Sequence, residues 1–191
     1  MMTEVPVAVI IGVLAANLAQ QTPTPEAGSV RNMSQTLSSG ERVLRHEVEV
    51  DAPVAAVWRA FSTNDGLRGF AAPFVAIDLR PGGHWESSYN PAGHIGDPAN
   101  ILNQIIAYVP ERMLAMRIAR TPPGFPNPEV AKQVWTVIEM TDLGNGRTRA
   151  TGSMYGWQQG AEWDTVYRFF ERGNATVFDK LKRYLSTHTD R

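Results

Sequence analysis

The chain of 191 residues contains no cysteine. That removes disulfides, thiolate zinc sites and cysteine nucleophiles together, and it leaves the redox compartment open. An excess of either charge is also missing: 18 basic and 19 acidic residues give a formal net charge of -1. The two signs are interspersed and no basic stripe stands out, so a nucleic-acid partner is not indicated. No apolar run reaches the roughly 20 residues that a membrane-spanning helix needs. The chain has no G-x-S-x-G, no phosphate-cradling glycine loop and no two-histidine helix motif. Its four histidines lack a metal-ligand spacing, so neither a metal nor a cofactor is implied. At 43% hydrophobic and 19% charged residues, the composition is that of a globular protein rather than a disordered one.

What is present begins with a nearly apolar stretch over residues 5–19, broken only by Pro6, Gly12 and Asn17. Its length fits the apolar region of a signal peptide, although Glu4 sits where a positive charge is expected. Residues 1–19 therefore read as a signal-peptide-like or anchor segment, which predicts export to the periplasm or beyond. A misassigned start would instead leave a cytoplasmic protein. Residues 20–40 are rich in Gln, Thr, Pro, Ser and Gly and read as a flexible linker. The folded domain is expected over 41–187, followed by a short tail at 188–191.

Within the domain, residues 43–50 place Val48 and Val50 in alternation with charges, as a half-buried strand does. Pro53 suits the start of a helix whose apolar face is Val54, Val57, Trp58 and Phe61. A second short helix and a bend through Gly66-Leu67 to Pro73 precede strands over 74–79 and 84–89, with Pro81-Gly82-Gly83 as the turn between them. A Gly- and Pro-rich loop follows over 90–100. Strands are expected at 101–109, 112–119, 134–141 and 148–155, the last pair joined at Gly144-Asn145-Gly146. Residues 121–128 hold four prolines and form a stiff excursion. From Trp163 to Leu185 the period changes to that of a helix, with Trp163, Val166, Tyr167, Phe170, Val177, Phe178, Leu181 and Leu185 on one stripe. Antiparallel strands followed by a terminal helix belong to the α+β class.

This ordered set resembles the SRPBCC, or START-like helix-grip, superfamily, in the branch related to the activator of heat-shock-protein-90 ATPase. Ala52-Pro53, Val57-Trp58, Gly66-Leu67, Ala72-Pro73 and the run Asp78-Leu79-Arg80-Pro81-Gly82-Gly83 carry the resemblance. So do the run from Tyr108 to Leu114, Gly146-Arg147-Thr148 and the helix from Tyr167 to Leu185. The resemblance implies a seven-stranded antiparallel sheet wrapped around the C-terminal helix, with a deep cavity between them. It implies a small apolar ligand and supplies no catalytic motif.

Asn174 lies on the apolar stripe between Phe170 and Val177, where a buried amide needs a partner. That partner is either a ligand or a loop carbonyl. Gly173 beside it is a poor helix former, which a close approach of sheet or ligand would explain. Trp85, Ser87 and Tyr89 share one strand face, and the resemblance turns that face inward. Asn103 or Gln104 must also face inward. Met116, Ile138, Met154, Tyr167 and Phe170 complete the set of cavity candidates. His94 is the candidate at the cavity mouth. His84 and Glu86 point outward, and Arg117 could pair with Glu139 across strands. Three readings follow: a binder of a small hydrophobic or amphipathic molecule, a cyclase-, dehydratase- or hydrolase-type enzyme, or a protein-binding module with no partner specified. The enzyme reading requires Asn174, Tyr89 and His94 to converge.

Overall fold

The computed structural model describes residues 29–188. The apolar segment over 1–19 lies outside the described residues, as do residues 20–28 of the linker and residues 189–191 of the tail.

One antiparallel sheet carries the molecule. The seven strands expected are β3 (Arg42–Val50), β4 (Phe74–Ile77), β5 (His84–Ser88), β6 (Ile101–Val109), β7 (Met113–Arg120), β8 (Trp135–Gly144) and β9 (Arg147–Trp157). Two further strands, β1 (Arg31–Asn32) and β2 (Gln35–Thr36), pair with β3, so the end of the expected linker is part of the sheet. The strand order is β1-β3-β9-β8-β7-β6-β5-β4, with β2 also on β3.

Two short helices, α1 (Val54–Ser62) and α2 (Asn64–Phe70), follow β3. Thr63 caps α2 by accepting from the Gly66 amide, which ends one helix and starts the next. Trp58 of α1 stacks on Tyr108, with ring centroids 6.1 Å apart. A third helix, α3 (Pro128–Ala131), starts at the last proline of the excursion, where none was expected. The long helix α4 spans Ala161–Thr187 and buries Val166, Phe178, Leu181 and Leu185. Asn145 and Gly146 form the β8–β9 turn with positive φ, as the sequence predicts. Thr148 fixes that hairpin to the rest of the chain, its hydroxyl donating to the Ala52 carbonyl at 2.7 Å.

A bulge at Ile105–Ala107 breaks the alternation of β6. Strict alternation would turn Tyr108 outward with Gln104 and Ile106. With the extra residue, Ile106 is exposed and Tyr108 packs on the core.

The interior falls into two clusters. One gathers α1, α2 and the C-terminal half of α4 around Phe61, Trp85 and Phe178. The other gathers α3 and the first half of α4 around Trp157, Met154 and Val166. The cavity lies at the seam between them.

Candidate functional site

Five strands and two helices, α1 and α4, supply most of the cavity wall, with Ala71 just past α2. On β5, Trp85 and Ser87 are buried and face inward. The Trp85 indole N–H donates to Ser87 Oγ at 2.9 Å, so the indole is satisfied without a ligand. Tyr89, one residue past the end of β5, lines the cavity while remaining 60% exposed, which makes it the solvent end.

The next strand decides between its two amides. Asn103, opposite Trp85 in register, lines the cavity. Gln104 faces out and accepts from Arg117 Nε and Nη2 at 3.1 and 2.9 Å. The expected Arg117–Glu139 pair does not form: Arg117 stands opposite Trp135, and Glu139 opposite Met113.

Met116 and Ile118 of β7, Thr136 and Ile138 of β8, and Met154 of β9 continue the wall. Phe170 and Asn174 of α4 close it from above, with Val177 and Phe178 on the next turn. The Asn174 amide N–H donates to Met154 Sδ at 3.3 Å. A thioether is a weak acceptor, so this amide keeps most of its hydrogen-bonding capacity. The loop carbonyl considered as its partner does not take that role.

The cavity has a volume of about 130 Å³. The resemblance predicts a deep cavity, but drug-sized pockets begin near 300 Å³, so this one is narrow. It is of the order of an apolar cavity that holds a single benzene, about 150 Å³. Its lining includes no Asp, Glu, Lys, Arg or His among the described residues.

Two of the expected site residues lie elsewhere. Tyr167 sits one helical turn before Phe170 and packs on Trp157, ring centroids 5.0 Å apart, beneath the Arg42 guanidinium. The apolar stripe of α4 runs past the cavity, and its first turns serve the second cluster. His94 is exposed and does not line the cavity. Its loop is folded back onto Glu86, whose Oε1 accepts from the Gly96 amide at 2.8 Å and from Asn100 Nδ2 at 2.7 Å. Asn100 Nδ2 also donates to the His94 carbonyl at 2.7 Å. Asn174 and Tyr89 therefore share one cavity without His94, and the three-residue convergence that the enzyme reading requires is not met. Of the two residues expected to point outward, His84 is exposed and Glu86 is occupied with the loop.

Sequence reasoning missed Thr136, Gly152 and several apolar wall residues, Ile118 among them. Thr136 was accessible to it, since Thr136 shares a strand face with Ile138. Gly152 is where the Phe178 ring of α4 lies against β9. A Cβ there would lie 2.7 Å from Phe178 Cζ. At Gly173, where that approach was expected, a Cβ would meet nothing within 4 Å. Among the described residues no group of acidic or histidine side chains could hold a metal, and no helix is long and apolar enough to cross a membrane.

Residues 51–186 match the family model described as activator of Hsp90 ATPase homolog 1-like protein. No curated protein matches the chain. Among solved structures, protein MLL2253 from Mesorhizobium loti is similar at 16% identity and a TM-score of 0.60, covering 77% of this chain and 98% of that one. The Aha1 dimer from Colwellia psychrerythraea gives 13% identity and a TM-score of 0.54 over 73% of this chain and 96% of that one. CalU16 from Micromonospora echinospora gives 17% and 0.56, covering 87% of each chain. At these identities the structural likeness concerns the fold.

Proposed function

From a chain that belongs to the activator of Hsp90 ATPase homolog 1-like family, and so to the helix-grip fold, we propose a binder of one small, mostly apolar molecule in the cavity between sheet and α4. The observation that carries this is the cavity at the seam of the two core clusters, walled by Trp85, Met116, Ile118, Ile138, Met154 and Phe170. Packed interiors rarely leave voids larger than a water molecule, so an apolar-walled space of about 130 Å³ with an open end suits an occupant. The volume limits that occupant to about one ring. The fold's general use for hydrophobic ligands supports the same reading.

Thermal unfolding of the full chain with toluene, p-xylene and indole tests it. At a hundredfold excess over Kd, a bound ring should raise Tm by about 5–10 °C. Met116→Trp fills the cavity and should abolish the shift while the protein stays folded. No shift in the wild type, or an equal shift in the filled variant, would overturn the proposal.

A further inference from the structure

We propose that the occupant is an uncharged single-ring molecule carrying a hydrogen-bonding group at each of two opposite positions. This rests on the cavity-binding reading above and narrows its ligand class.

The cavity wall is polar at two ends and apolar between them. At one end, Ser87 of β5 and Asn103 of β6 are diagonal neighbours, Asn103 standing opposite Trp85 and Ser87 opposite Ile101. Ser87 Oγ already accepts from the Trp85 indole, so its own proton is free to point elsewhere. The Asn103 amide has no side-chain hydrogen bond to another described residue. At the other end stand Thr136 and Asn174. Thr136 is the register partner of Met154, the residue whose sulfur Asn174 contacts, so both surround one point. Thr136 likewise has no side-chain partner among the described residues. Between the ends lie Met116 and Ile118 of β7, register partners of Thr136 and Asn103 respectively.

Spacing then fixes the shape. β6 and β8 are separated by one strand, about 10 Å across the sheet, and their partners Ile118 and Met116 are two residues, about 7 Å, apart along β7, so Asn103 and Thr136 sit about 12 Å apart. Side chains stand roughly perpendicular to a sheet, which preserves that separation inside the cavity. A para-disubstituted ring with a hydrogen bond of about 2.8 Å at each end spans a similar distance. Charge is excluded by what is absent from the lining. An ionised group buried without a partner is far costlier than an amide or hydroxyl. Each Asn amide offers both donors and an acceptor, so a phenol, a carboxamide or a carbonyl fits at either end.

Isothermal titration of the full chain with three probes of similar outline tests this: 4-hydroxybenzamide, p-xylene and the terephthalate dianion. 4-Hydroxybenzamide should bind at least tenfold more tightly than p-xylene, and terephthalate should not bind. Asn103→Leu and Asn174→Leu should each weaken 4-hydroxybenzamide roughly tenfold, the worth of one hydrogen bond, and leave p-xylene within threefold. Thr136→Val keeps the side-chain shape and gives the same comparison if a Leu variant fails to fold. Equal or tighter binding of p-xylene, with the amide variants without effect, overturns this inference and leaves the cavity reading standing. Binding of terephthalate as tight as that of the amide overturns it as well. Binding of none of the three overturns the cavity reading itself, with ordered water then satisfying the polar groups.

Discussion

Two glycines separate what a residue signals from what it does. Gly152 allows the Phe178 ring to lie against β9, and a methyl group there would sit 2.7 Å from Phe178 Cζ. Phe178 is buried and cannot swing into solvent. Gly152→Ala should therefore overpack the contact and lower stability by about 1–3 kcal/mol in urea unfolding. Gly173 lies inside α4 on its exposed side, with open space where its Cβ would be. Gly173→Ala should raise stability by about 0.5–1 kcal/mol in the same measurement, because helical glycine loses more chain entropy. In sequence, Gly173 draws attention because it interrupts a helix, and Gly152 does not because strand glycines are common. The constraint at Gly152 comes from a ring 26 positions further along the chain, which residue spacing does not encode.

At the scale of elements, the loop over 90–100 is held by one carboxylate. Glu86 is on the outward face of β5, with only 13% of its side chain exposed, and it binds the Gly96 amide and Asn100. Arg120 completes the clasp by donating to the Asn100 and Asp97 carbonyls at 3.3 and 3.2 Å. Glu86→Ala leaves those donors without their acceptor. Amide exchange at Gly96 should then speed up at least tenfold, while exchange in α4 stays unchanged. An unaltered Gly96 rate would show that the loop is held by other contacts. The elements were largely legible in sequence, because alternation and helical period are local. β6, for example, spans the expected 101–109. The bulge at Ile106 was not legible, since it depends on how β6 registers against β7. That register turns Tyr108 inward onto Trp58. The clasp escaped for a similar reason: an outward Glu on a strand reads as solvated until a loop folds over it.

For the molecule as a whole, a buried histidine stands where β3 of the sheet meets α4. His46 is 2% exposed on β3, and its Nδ1 has no hydrogen-bond partner. Asn32 of β1 and Gly152 of β9 are its register partners. From α4, Glu171 is the charged group that acts on it, and Glu171 itself accepts from Asn32 Nδ2 at 2.9 Å. Burial holds the His46 pKa below its ordinary 6.5, and Glu171 offsets part of that shift. The unfolded chain therefore binds a proton here more readily than the folded one. Above pH 6.5 the neutral ring carries no penalty, and stability is lost as pH falls from 6.5 through the lower folded pKa. Carboxylates titrate mostly below this range, so the loss between pH 7.5 and 5.5 should belong largely to His46. Melting curves across that window should show Tm falling with acidity in the wild type, and a flatter profile in His46→Phe, which keeps an aromatic ring and removes the proton site. Equal slopes for the two proteins would mean that the interface of β1, β3 and α4 accepts the imidazolium, with Glu171 fully compensating its burial.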